Sequence, residues 1–163
     1  MGKFDSTYTL FQSPSLMNIS GKAVKKAWKA FMVELSDEEK KDALLVVLHD
    51  ELEAALGRVK VKKGGSARGH NGLVSCAESL GSKVGVVIVC SGRAGGEDEK
   101  ADCEIYSQQD FWRIGIGIGR PDSRDPGTVS EYVLGKMTSH EKDTLKIESL
   151  PEVLAALAKL SAV

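Results

Sequence analysis

Cysteine is scarce in this 163-residue chain: only Cys76, Cys90 and Cys103 occur, an odd number with no C-x-x-C spacing. That pattern argues against a zinc site and a disulfide framework, and it fits a reducing compartment, the cytoplasm or alternatively the mitochondrial matrix. Histidine is as rare, and His49, His70 and His140 have no ligand spacing, so no metal is expected. Long apolar runs are missing too. The longest span only six residues, as at 43–48, with 86–90 shorter still; all are far below the roughly 20 residues of a membrane helix, and no membrane contact is expected. Net charge is almost absent, with 22 Lys and Arg against 23 Asp and Glu, so anion binding has to be argued from local clusters. The first residues lack the apolar core of a signal peptide and the Arg-rich pattern of a transit peptide, although Met1-Gly2 followed by Ser6 fits the myristoylation pattern. Neither Gly21-Lys22 nor Gly135-Lys136 has the upstream glycine and following hydroxyl of a phosphate loop. Gly115-Ile-Gly117-Ile-Gly119 alternates as a strand does and meets Pro121 where a dinucleotide-binding helix should begin. Ser66 is outside any G-x-S-x-G elbow, which removes the serine-hydrolase reading.

What is present suits one layered α/β domain over residues 1–163. A chain of this size buries about 70% of its unfolded surface in a single core. Tyr8 to Phe11 reads as a strand delivering a loop at 13–20, and Asn18 or Ser20 is expected to cap the next helix. Ala23, Ala27, Trp28, Phe31 and Leu35 recur at helical spacing, with Lys22, Lys25, Lys26 and Lys29 elsewhere, so that helix runs to about Leu35. Ser36 with Glu39 is a capping-box signature. The apolar run 43–48 predicts a buried strand ending at His49-Asp50, at the carboxyl edge where α/β sheets bind ligands. Further strands are predicted over 84–90 and 111–118, and helices from Asn71 or Gly72 to Leu80 and over 128–134, 140–147 and 151–160. Residues 91–109 are glycine-rich and acidic and read as a solvated insertion.

Function is most densely written between Leu48 and Leu73. Arg58, Lys60 and Lys62 alternate with Val59 and Val61, giving a strand with one apolar and one cationic face. With Lys63 and Arg68 the ribbon holds five cations in eleven residues and no acid, which favours phosphate binding over a merely solvated face. Asp50 ends a strand, where it either caps a turn or serves a site. Asn71 and Asn18 each carry the same two alternatives, helix cap or substrate contact. A carboxylate and amides beside a cationic track suit an ester whose leaving group is a polyanion, and point toward RNA.

The segments L-M-N-I-S-G-K (16–22), V-V-L-H-D-E-L-E (46–53), K-V-K-K-G-G-S-A-R-G-H-N-G-L (60–73), R-I-G-I-G-I-G-R-P (113–121) and Y-V-L-G-K (132–136) resemble, in order, the bacterial-type peptidyl-tRNA hydrolases. The resemblance implies a three-layer α/β domain with a twisted mixed sheet flanked by helices. It implies cleavage of the ester between peptide and tRNA, without metal or cofactor, by a monomer whose partner is peptidyl-tRNA. By position, Asp50 supports the base, Asn71 and Asn18 hold substrate and water, Leu16 supplies an apolar wall, and His70 lies beside the substrate. Lys60 and Lys62, with Arg113, fall on the tRNA's phosphates, and Arg58 joins them from the cationic ribbon. In the family, the base is a histidine that follows a first strand and a Gly-Asn-Pro-Gly loop, and nothing before Tyr8 matches that segment. The expectation is therefore a chain lacking the first family strand and the base histidine. Either another chain supplies them, or the polypeptide is truncated, or it is an inactive tRNA-binding or ribosome-associated homologue. Gly115 also stands for a second arginine of the family's strand, and Arg68 for a glycine of its loop.

Overall fold

A computed structural model of the chain describes residues 2–4, 8–67, 69–80 and 111–162. The strand expected at 84–90, the acidic segment 91–109, Cys90, Cys103, Arg68, Met1 and Ser6 lie outside these residues. The chain forms two compact units, Met1–Leu48 with Lys62–Arg113, and His49–Val61 with Ile114–Val163.

In the first unit, β1 (Gly2–Phe4) pairs antiparallel with β2 (Tyr8–Leu10), Gly2 opposite Leu10. The pattern foretold β2. β1 is too short for a period-two signal, so it went unread. A 3₁₀ turn, Met17–Ile19, leads into α1 (Ser20–Glu34). Val24, Trp28 and Met32 recur every four residues, so they share one helix face, and that face is buried with Leu73, Cys76, Ala77 and Leu80 of α3 (Asn71–Leu80). The two helices meet at Gly21. Its N–H donates to Ser75 Oγ at 3.1 Å, and a Cβ there would overlap the Ser75 carbonyl. Ser20 Oγ donates to the Met17 carbonyl at 2.7 Å and lies 3.7 Å from Cys76 Sγ. Neither Asn18 nor Ser20 caps α1 by its side chain, contrary to expectation, because the 3₁₀ turn already engages the entering backbone and Ser20 turns back onto it.

Burial raises the Cys76 thiol to about 12, only partly offset by the Ser20 contact. A thiol is nucleophilic as thiolate, and at pH 8 almost none is present. Native protein treated with iodoacetamide at pH 8 should therefore leave Cys76 unmodified while urea-unfolded protein alkylates it. Peptide mass mapping reads this, and a modified Cys76 in folded protein would contradict the packing of α1 on α3.

α2 (Asp37–Asp42) opens with the expected capping box: Glu39 N–H donates to Ser36 Oγ at 3.3 Å and Ser36 N–H to Glu39 Oε2 at 2.8 Å. The Ser36 hydroxyl, donating to Glu39 Oε2 at 2.7 Å, and then the Ser36 N–H hold the Glu39 carboxyl below its ordinary value.

β3 (Val46–Glu51), β4 (Val59–Lys63) and β5 (Trp112–Gly117) form a sheet in the order β3-β5-β4. Trp112 N–H donates to Leu45 and Ile118 N–H to Glu51, so β5 is parallel to β3. Gly64 N–H donates to Phe111 and Gly117 N–H to Arg58, so β5 is antiparallel to β4. The result is α/β, a three-stranded mixed sheet flanked by helices. β3 begins three residues later than the apolar run suggested, so His49 and Asp50 lie inside the strand rather than at its mouth. Apolar content marked the run, but the backbone pairing to β5 sets the register.

In the second unit, α4 (Pro126–Leu134) starts with Asp125 accepting from Thr128 N–H at 2.9 Å, which lowers the Asp125 carboxyl. α5 (Ser139–Thr144) has a second capping box, Thr138 with Glu141. A π-helical turn, Leu145–Ser149, joins it to α6 (Leu150–Leu160). Ser149 is buried and its Oγ donates to the Gly57 carbonyl at 2.9 Å, while Tyr132 OH donates to the Ile118 carbonyl at 2.6 Å. Ala54, Ile114, Val153 and Leu160 are buried here. Among the described residues, no helix is long and apolar enough to cross a membrane.

Candidate functional site

Asn18 sits on the 3₁₀ turn and Asn71 is the first residue of α3, both in the first unit. The turn and the start of α3 are brought together because position 72 is glycine: a Cβ there would lie 2.6 Å from Met17 Cγ. α3 is capped by the preceding residue. Leu73 N–H donates to His70 Nδ1 at 3.2 Å, so the cap expected of Asn71 belongs to His70. Both asparagine side chains are exposed, and among the described residues neither has a hydrogen-bond partner in the protein. Two amides relieved of capping, beside the exposed Leu16, can each donate and accept to an ester, a peptide group or a water. His70 accepts at Nδ1, which puts the neutral ring's proton on Nε2 and leaves that atom as a donor.

Arg113, expected at phosphate, is 6% exposed. Its Nη1 donates to the Ser66 carbonyl at 2.8 Å, and Gly65, at φ +90°, makes room for Nη2, which a Cβ would approach to 2.8 Å. Arg113 therefore holds the Gly64–Ser66 loop from beneath instead of presenting its charge to solvent. Sequence reasoning placed the arginine but missed this duty. The G-G-S loop was the signal, since a glycine at positive φ marks a close approach of another group.

Lys60 and Lys63 are exposed, as is Arg58 just before β4, and Lys62 is half-buried. The expected apolar face of β4 is incomplete, because Val61 is 41% exposed. β4 is an edge strand of the described sheet, and alternation alone does not guarantee a cover for either face.

In the second unit, His49 is 6% exposed and Asp50 half-buried. His49 Nδ1 lies 2.6 Å from the Asp50 carbonyl oxygen. A carbonyl only accepts, so Nδ1 carries a proton. Gly115 faces that ring, and a Cβ there would stand 3.2 Å from His49 Cε1. A side chain at 115, where the family has a second arginine, would crowd the His49 ring. Glu53 pairs with Arg120 in the same unit. Among the described residues, no group of three or more His, Cys, Asp or Glu could hold a metal ion.

The profile of the family described as peptidyl-tRNA hydrolase matches residues 2–92 and 87–162. The chain belongs to the peptidyl-tRNA hydrolase family. A probable peptidyl-tRNA hydrolase of Schizosaccharomyces pombe is 40% identical over 141 residues, 86% of this chain and 55% of the relative. A peptidyl-tRNA hydrolase of Thermodesulfovibrio yellowstonii is 32% identical over 149 residues, 91% and 61% of the two chains. The crystal structure of a variant peptidyl-tRNA hydrolase from Acinetobacter baumannii superposes with a TM-score of 0.53 at 27% identity, covering 89% of this chain and 54% of that one. The chain thus spans 55% to 61% of the length of these two curated peptidyl-tRNA hydrolases.

Proposed function

We propose that this chain acts in peptidyl-tRNA hydrolysis, splitting the ester between a peptide and the terminal ribose of tRNA so that stalled peptidyl-tRNA is recycled. The observation that carries this reading is the pair Asn18 and Asn71, held on neighbouring backbone by Gly72 and, among the described residues, without a hydrogen-bond partner in the protein. In an ester hydrolysis such amides fix the carbonyl and the attacking water, and Leu16 and His70 complete that wall. Asp50 orients and charge-stabilises the general base. Arg58, Lys60 and Lys62 meet the tRNA's phosphates. Arg113 sets the loop that leads to His70 and Asn71. The chain works as a monomer in the cytoplasm, with the mitochondrial matrix as the other setting.

A second reading, an inactive tRNA-binding or ribosome-associated homologue, is favoured by one observation. His49 is buried against the Asp50 carbonyl and His70 caps α3, so both carry structural duties. The discriminating measurement is release of labelled peptide from N-blocked aminoacyl-tRNA by the purified chain, beside tRNA binding under the same conditions. Turnover at enzyme-like rates supports the hydrolase. Binding with no release above the uncatalysed rate transfers the assignment to the second reading.

A further inference from the structure

α1 carries four cations on one side. At about 100° per residue, Lys22, Lys25, Lys26 and Lys29 fall within a sector of about 100°, running about 10 Å along the axis. The buried Val24, Trp28 and Met32 lie on a neighbouring sector, centred about 110° away around the axis. No acidic residue occurs on α1 before Glu34, and its first turn contains none. Among the described residues, Lys22, Lys25 and Lys26 make no ion pair.

The contrast with α2 is informative. There Lys40 pairs with Asp37 at 2.8 Å and Lys41 with Glu38 at 3.1 Å, each three residues apart. Such pairs support a solvated helix. On α1, spacings of three and four residues join like charges instead: 22 with 25, 22 with 26, 25 with 29 and 26 with 29. Each like-charge pair destabilises the helix, and a cation in the first turn also opposes the helix dipole. A surface assembled against its own electrostatics suits an external polyanion that neutralises it.

We infer that the lysine stripe of α1 is a docking surface for the sugar-phosphate backbone of RNA. The inference rests on the peptidyl-tRNA reading, and the RNA is the tRNA body. The stripe begins four residues beyond Asn18, so RNA reaching that asparagine has a cationic rail within one helical turn. Lysine ammonium groups on flexible stems suit a contact with phosphates that needs no base readout. A lipid surface fits less well, since a helix lying in a membrane interface needs its apolar face for the lipid, and the apolar face of α1 is spent on α3.

The test compares the parent chain with a Lys22→Gln, Lys25→Gln, Lys26→Gln variant and with the corresponding triple arginine variant. Binding of deacylated tRNA is measured by fluorescence anisotropy from about 50 to 300 mM KCl. Each phosphate contact contributes about 0.7 to 0.9 to the slope of log affinity against log salt, so the glutamine variant should lose about 2 to 3 from that slope and about 100-fold in affinity near 100 mM. The arginine variant should keep both. Removing like-charge pairs leaves the fold intact, and an unchanged or higher Tm verifies it. A parent-like slope in the folded glutamine variant overturns the inference, as does loss of slope in both variants alike. So does binding of phosphatidylserine vesicles that the glutamine variant loses while its tRNA slope holds. A parent chain that binds no tRNA at all removes the peptidyl-tRNA reading as well, which separates the two failures.

Discussion

Asp50→Ala is expected to slow peptidyl-tRNA hydrolysis by about 100-fold, the lower range for a positioned acid-base group, while tRNA affinity stays within about threefold. The local structure makes this a clean experiment. What His49 uses is the backbone carbonyl of Asp50, and alanine keeps it. The buried imidazole therefore retains its acceptor and tautomer, and the strand pairing of β3 is untouched. Only the carboxylate is removed. Steady-state kcat and KM, measured with N-blocked aminoacyl-tRNA, should show the loss in kcat, because an interaction made chiefly in the transition state lowers kcat and kcat/KM together. Parallel losses in binding and turnover would reduce Asp50 to a structural residue of β3.

Gly21→Ala should destabilise the chain by about 3 kcal/mol. The added methyl meets the Ser75 carbonyl, which is backbone and cannot swing aside, so α1 has to move from α3 and strain of up to about 3 kcal/mol follows. Disturbing the Gly21 N–H bond to Ser75 Oγ adds about 1 kcal/mol. Better helix propensity of alanine returns about 1 kcal/mol. Urea unfolding monitored by circular dichroism gives the sum. Ser75→Ala is the control: it removes the hydroxyl partner but adds no methyl, and should cost only about 1 kcal/mol. Equal effects of the two substitutions would show that the hydrogen bond, not the close approach, governs the contact.

These two positions mark where the sequence was readable and where it was not. The capping box at Ser36 and Glu39 was legible because every partner lies within four residues, and α3 and β5 were legible because their periodicity is strong. Asp50 was recognised as chemistry yet placed at the wrong point of its strand, since pairing to β5 is a non-local matter that an apolar run does not encode. The asparagines left two alternatives open, cap or contact. Only three-dimensional neighbours decided against capping, by giving one cap to His70 and none to the entry of α1. Arg113 went astray for a related reason, because a cation's exposure cannot be read from its own segment, and Gly65 leaves it room beneath the loop.

The π-turn between α5 and α6 has its own consequence. Leu150 N–H reaches back five residues to the Leu145 carbonyl, and Pro151 follows with no N–H to continue an ordinary ladder and a ring that crowds the carbonyl four residues before it. The wide turn is in effect one surplus residue parked in a helix. Deleting that residue would let the turn close to ordinary α geometry with the face of α6 kept, whereas adding one more would turn all of α6 by about 100°. Val153 and Leu160 would then swing toward water, so this stretch gives up a residue far more readily than it accepts one.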